Sequence, residues 1–165
     1  MNIIYNFSLA QEKDIADILL LIRKRIQWMD NWGIEQWNKT NYMECYPKEY
    51  FDDCILKHKL YVLSEKESGK IIGAVVLDDT DKRWKDEIPA YYIHNLVTDL
   101  DAKGAGAAII KYCEDIAIEH GKRRLRLDCQ KVNVKLNQYY EKLGFLYVEE
   151  IRDGLYVGNK REKLL

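Results

Sequence analysis

Between Leu60 and Val97 the chain holds three apolar runs of strand length, and no helical period interrupts them. Leu60–Ser64 and Lys70–Leu77 are joined through Glu67-Ser68-Gly69-Lys70, a turn, which predicts a hairpin. Ala90–Val97, rich in Tyr, Ile and Val, follows Asp78–Pro89, a charged segment that reads as a surface loop. The following stretch changes the pattern. Lys103–His120 sets Ile109, Tyr112, Cys113 and Ile116 on one helical face with Gly121 at the C-cap position, and Arg124–Asp128 then alternates as Arg-Leu-Arg-Leu-Asp. A strand–helix–strand step yields a parallel neighbour, whereas hairpins yield antiparallel ones. One parallel crossover among antiparallel runs predicts an α+β fold with a mixed, mostly antiparallel sheet.

The flanks fit this layout. Asn2–Phe7 reads as a short strand, and Ser8 with Gln11 is a capping-box pattern before a helix whose buried face is Ile15, Ile18, Leu19, Ile22 and Ile26. A segment dense in Trp, Tyr and Asn runs from Trp28 to Tyr46, and Pro47 opens a helix that buries Tyr50, Phe51, Cys54 and Ile55. Asn133–Leu143 is a short helix ended by Gly144. Phe145–Ile151 and Leu155–Leu164 close the chain around an Asp153-Gly154 turn. With no repeat and no linker rich in Pro, Gly or Ser, residues 1–165 are expected to form a single domain.

Charge narrows the function classes. Lys and Arg total 26 against 27 Asp and Glu, a net charge of −1, which argues against a protein that grips nucleic acid through a basic field. The 12 Tyr and 4 Trp against 3 Phe suit the walls of wet pockets as well as cores, and both uses stay open. Cys45, Cys54, Cys113 and Cys129 form no C-x-x-C pair, the N-terminus has no signal-peptide pattern, and no apolar run approaches the roughly 20 residues of a membrane span. A cytoplasmic protein with free thiols and no membrane partner is expected. His58, His94 and His120 are scattered and the cysteines lack zinc spacing, so no metal is expected. Walker, nucleophile-elbow and H-E-x-x-H motifs are absent.

The most informative stretch is Asp101-Ala102-Lys103-Gly104-Ala105-Gly106-Ala107-Ala108, between a strand and a helix. Glycines admit close approach of a ligand to the backbone, and the first amides of a helix are unpaired at the positive end of its dipole, which suits an anion. A dinucleotide is one such ligand, with Asp128 ending the next strand. Against it, Ile109 stands where the third glycine belongs, Thr98–Lys103 separate strand from Gly104, and no further βαβ units follow.

The other ligand is coenzyme A. Val97-x-x-x-Asp101-Ala102-Lys103-Gly104-Ala105-Gly106 resembles the pyrophosphate loop of the GNAT-type N-acetyltransferases, V-x-x-x-[RQ]-x-x-G-x-[GA]. Asn133, with Tyr140-Glu141-Lys142-Leu143-Gly144-Phe145 after it, is similar to that superfamily's N-x₆-Y-E-x-L-G-F signature, and Asn31-Trp32-Gly33-Ile34-Glu35-Gln36-Trp37 resembles a G-I-x-Q-W segment of one subgroup. The resemblance covers nearly the whole chain. It implies a GNAT-like acyl-CoA N-acyltransferase fold, with the sheet splayed between the fourth and fifth strands and pantetheine in the gap. It further implies acetyl transfer from acetyl-CoA to a primary amine of a small molecule or peptide, by direct attack in a ternary complex. On this resemblance the Leu96 or Val97 amide stabilises the oxyanion, and Lys103, Gly104, Ala105, Gly106, Ala107 and Ala108 hold the pyrophosphate. Asn133 touches the cofactor, and Tyr140 is the general acid.

Other roles come from the residues themselves. Tyr140 with Leu136 and Leu143 also has ordinary core spacing, and Asn133 is also a plain helix cap. No motif assigns the base. His94 is a candidate by its chemistry, with Glu35, Asp99 and a water relay as alternatives, and strand alternation sets it opposite Ile93 and Asn95. Trp28, Trp32 and Trp37, with Tyr42 and Tyr46, are candidate substrate-binding walls, and Asp30, Glu35 and Glu44 nearby suit a cationic amine. The sequence departs from the pattern at Asp101, where Arg or Gln is usual, and at Ala102. That departure sustains a second reading, a non-catalytic CoA-binding or interaction module, with a dinucleotide enzyme third. A homodimer is left open.

Overall fold

The computed structural model describes residues 4–165. Seven strands form one sheet: β1 (Tyr5–Leu9), β2 (Leu60–Glu65), β3 (Ile71–Asp78), β4 (Ala90–Thr98), β5 (Arg124–Gln130), β6 (Leu146–Asp153) and β7 (Tyr156–Leu164). Their order is β1-β2-β3-β4-β5-β7-β6, antiparallel throughout except for the parallel β4–β5 pair. The helices are α1 (Ile15–Asn31), α2 (Tyr42–Cys45), α3 (Lys48–Leu56), α4 (Ala105–Glu119) and α5 (Val134–Lys142).

The centre of the sheet is buried on both faces, which explains why β3 reads as a continuous apolar run rather than an alternating one. One core joins Ile72, Val75 and Leu77 to Ile109, Ile110 and Cys113 of α4 and to Phe145. The other joins Ala74 and Val76 to Ile15, Ile18 and Ile22 of α1 and to Phe51 and Cys54 of α3. Each fully buried Leu, Ile or Phe contributes about 1.5–3 kcal/mol.

Several local expectations shift. The first strand lies at Tyr5–Leu9, so Ser8 is inside it, and the capping box closes instead on the 3-10 turn Glu12–Asp14 ahead of α1, where Asp14 Oδ2 accepts from the Gln11 N–H at 2.8 Å. Positions 2 and 3 of the expected strand lie outside the described residues. Helix α1 runs on to Asn31, so Trp28 sits on a helix and not in an irregular segment. Helix α4 starts at Ala105, two residues later than its expected start, because Gly104 takes φ +81° and ends the preceding turn.

Strands β4 and β5 pair only at Ala90↔Arg124, Tyr91↔Leu125 and Tyr92↔Arg126. Beyond that point they part. The register of β4 against β3 also slips, with His94 opposite Val76 but Val97 opposite Ala74. The extra residue is Asn95, at φ +54°. A bulge of this kind re-aims side chains. Val76, opposite His94, belongs to the α1–α3 core, and Asn95 bonds Tyr42 and Tyr50 on that same side, so His94 and Asn95 share a face. This corrects the strict alternation expected at that point.

Candidate active site

The parted strands border a cleft of about 1000 Å³. Its lining includes Trp28, Trp32, Trp37, His94, Leu96, Val97, Gly104, Gly106, Asn133 and Tyr140, drawn from α1, the segment before α2, β4, the α4 N-terminus and α5. Lys103, Ala105, Ala107 and Ala108 are not among the lining residues. Ala105 is fully buried in the core and Lys103 is exposed.

At one end of the cleft lies the first turn of α4. The Lys103, Ala105 and Ala108 N–H groups already donate to Asp101, Ala102 and Gly104 carbonyls at 3.1, 3.2 and 3.0 Å. The amides of Gly104, Gly106 and Ala107 have no acceptor among the described residues. Three free N–H groups at a helix N-terminus form a cradle for an anion. The Tyr139 hydroxyl lies over it: a Cβ at Gly106 would stand 2.9 Å from that oxygen. Tyr139 is a donor at this cradle to which no role was assigned in the sequence. Asp101 is exposed and outside the lining, its N–H given to Asp99 Oδ1 at 2.9 Å. That bond, opposed by partial burial and assisted by Lys70, holds the Asp99 carboxyl below its usual range.

Tyr140 reaches the cleft from α5 while 8% exposed, its ring edge-on to Phe145. Tyr140 is therefore a core side chain, as its spacing predicts, that also borders the cleft. Burial pushes its pKa well up, reinforced by the neighbouring Cys129, Tyr139 and Asp128, so the phenol is held protonated. Its hydroxyl makes no hydrogen bond among the described residues. Asn133 caps α5, its Oδ1 accepting from the Leu136 N–H at 3.1 Å, and its Nδ2 donates to Gln36 Oε1 at 2.9 Å. The cap thereby ties α5 to the segment carrying Trp37.

The opposite wall is aromatic. Trp37 stacks on Tyr42 at 4.3 Å between centroids, Tyr42 meets Tyr46 at 4.8 Å, and Tyr46 meets Tyr50 at 4.9 Å. This series is pinned to the β4 bulge, since Tyr50 donates to Asn95 Oδ1 and Asn95 Nδ2 donates to the Tyr42 hydroxyl, each at 2.7 Å. Trp28 lies under the Arg25 guanidinium and Trp32 is 71% exposed at the rim. Asp30, Glu35 and Glu44, expected to give this wall its charge, are exposed and outside the lining.

The acidic groups of the cleft come from elsewhere. His94 Nε2 lies 3.3 Å from Asp81 Oδ2, and Asp81 Oδ1 accepts from the Arg83 N–H at 2.9 Å. Burial alone would raise the Asp81 pKa; the bonds from His94 and Arg83 outweigh it and lower the pKa. Arg83 also reaches Asp128 at 3.2 Å and Asp153 at 2.8 Å, and the Tyr156 hydroxyl donates to Asp128 Oδ1. Asp81, His94 and Asp128 each offer one atom, all within 4.8 Å of one another, a grouping hidden by their separation in sequence. Asp78–Pro89 is therefore not only a charged surface loop: Asp81, Arg83 and Trp84 turn inward.

Residues 21–145 match the model of the Acetyltransferase (GNAT) family. The chain belongs to that family. It is accordingly an acyltransferase, and the dinucleotide alternative gives way. No curated protein matches the chain. Among solved structures, a GNAT acetyltransferase from Listeria monocytogenes shares 22% identity over 98% of this chain and 95% of that one, with a TM-score of 0.80. Another from Streptococcus agalactiae shares 20% over 99% of both, at 0.79. The PaiA N-acetyltransferase of Thermoplasma acidophilum, solved in complex with coenzyme A, shares 17% over 98% of this chain and 99% of that one, at 0.70. At these identities the likeness is one of fold, and the parted β4–β5 pair is part of the GNAT architecture. No helix among the described residues is long and apolar enough to cross a membrane.

Proposed function

We propose that the protein transfers the acetyl group of acetyl-CoA to a primary amine of a small molecule or peptide, by direct attack in a ternary complex. The observation that carries this reading is the fork between β4 and β5, which opens a cleft running from Gly104 and Gly106 at the α4 N-terminus to Tyr140 and His94. The cradle takes the pyrophosphate, with Lys103 at its entrance, and the pantetheine lies in the fork beside Leu96, Val97 and Asn133. Acetyl-CoA supplies an activated acyl group as its thioester.

The amine nitrogen attacks the thioester carbonyl once it has lost its ammonium proton. His94, oriented by Asp81, takes a proton from the nitrogen. A C–N bond forms and the carbonyl oxygen becomes an oxyanion, stabilised by the Leu96 or Val97 N–H. Collapse breaks the C–S bond, Tyr140 gives its phenolic proton to the sulfur, and the second proton of the nitrogen leaves to solvent, from which Tyr140 is reprotonated. The products are an amide and free CoA. Trp28, Trp32 and Trp37 hold the acceptor's body. The four free thiols suit a reducing compartment, the cytoplasm.

Thermal shift with acetyl-CoA, CoA and NAD tests the cofactor, and thiol release from acetyl-CoA across an amine panel tests the transfer. Stabilisation by both forms of CoA and amine-dependent thiol release are expected. Stabilisation by NAD alone, or CoA binding with no amine ever releasing thiol, would sink the reading.

A further inference from the structure

Strand β5 leaves the fork with Leu125, Leu127 and Cys129 in the α4-side core. Alternation therefore turns Asp128 and Gln130 to the other face, where both line the cleft. Two independent observations at this spot point to a cationic donor. The first is charge. Asp128 and Asp153 share a single guanidinium, that of Arg83, and Asp81 beside them accepts from the Arg83 backbone N–H and lies against His94. Lys160, which donates to the Arg83 carbonyl, is itself paired with Glu149. The cluster carries more negative than positive charge before a ligand arrives. The second is an unmet acceptor: Gln130 Oε1 is buried and has no donor among the described residues. A buried carbonyl oxygen accepts only, and leaving it unpaired is unfavourable. Trp28, Trp37 and Tyr46 line the same cleft, and Trp32 and Leu155, 71% and 68% exposed, stand at its rim.

We propose that Asp128 and Gln130 form the acceptor's ammonium subsite, and that the acceptor is a primary ammonium on an aromatic body, of the arylalkylamine class. This rests on the amine-acetylation reading above. The Gln130 oxygen and a free lone pair of Asp128 accept two N–H bonds of the ammonium, and the aromatic walls face its ring. A carboxylate-bearing acceptor meets repulsion in the same place. A divalent cation is the competing occupant, because Asp81, His94 and Asp128 stand within 4.8 Å of one another. Arg83 and Tyr156 already occupy both Asp128 oxygens, which favours the organic cation.

Calorimetric titration of the free protein with phenethylamine, phenethyl alcohol, phenylacetate, manganese chloride and zinc chloride tests this. Phenethylamine is expected to bind at least about tenfold tighter than the alcohol, the span of one charge-assisted hydrogen bond, and phenylacetate not to bind. Gln130→Leu should weaken phenethylamine about tenfold and leave the alcohol unchanged. Gln130→Glu, which keeps the acceptor and adds charge, should hold or tighten it, and supplies the readout if the Leu variant does not fold. Equal binding of amine and alcohol, no binding of the amine, or competition of the amine by manganese or zinc would overturn the proposal. CoA is titrated into the same sample: failure of CoA alone removes the acetyl-transfer reading and leaves the ammonium subsite standing.

Discussion

Tyr140 is a phenol held protonated by burial, with no hydrogen-bond partner among the described residues, and on the proposed reading it gives its proton to the leaving sulfur. A CoA thiolate is a good leaving group, so the acid contributes modestly. Tyr140→Phe should lower kcat by about 10- to 100-fold and change the Kd for acetyl-CoA less than about twofold; steady-state kinetics with equilibrium titration separates the two. At a second residue the backbone matters more than the side chain. A Cβ on Gly158 would stand 2.6 Å from Tyr156 Cζ, inside the space its ring needs to reach Asp128. Gly158→Ala should push Tyr156 off Asp128, raise the acceptor KM several-fold, about the effect of one lost hydrogen bond, and leave CoA affinity unchanged. The reverse pattern, weaker CoA with an unchanged acceptor KM, would show that Tyr156 serves the cofactor side.

At the scale of elements, the α4 N-terminus decides cofactor binding on the proposed reading. Its amides do the gripping while Asp101 sits outside the lining, exposed. An exposed carboxylate is screened, so Asp101→Arg should tighten CoA by no more than about fivefold, and more at low salt; titration at two ionic strengths checks it. The helices and strands themselves were legible, because Ile15, Ile18 and Ile22 in α1 or Ile109 and Cys113 in α4 recur at the helical period and bury as expected. The loop of Gly104 and Gly106 and the helix that carries Tyr140 were legible through local motifs, and both border the cleft. The acidic floor was not. Arg83 meets Asp128 across 45 positions, and a loop of Asp, Lys and Arg reads as solvated whether or not two of its charged members turn inward. The bulge at Asn95 was equally hidden, since nothing in Ile93-His94-Asn95-Leu96 breaks the look of a strand, although Asn is a residue that tolerates positive φ.

For the whole molecule, two buried cores on one sheet leave the thiols unequally protected. Burial pushes Cys113 up to about 12 and Cys129 up to about 11, and raises Cys54, whereas Cys45 is exposed on the cleft. The reactive form is the thiolate, so at about pH 8 the folded protein should give one rapid equivalent with a thiol reagent, at Cys45, and the rest only on unfolding. Cys45→Ser should abolish the rapid phase; a persisting one would show that an opening motion exposes a thiol of one of the two cores. The Asn95 bulge has one more consequence, and it concerns how this scaffold can be altered. Tyr42 and Tyr50 are bonded to the same residue that sets the course of β4. Changing either to admit a new acceptor also disturbs the strand along which the cofactor is proposed to lie. Trp28 and Trp32 carry no such bond. On the proposed reading, Trp32 is an independent dial for new acceptors, Trp28 is tied to the end of β4 through Arg25, which bonds Thr98, and the tyrosines are shared.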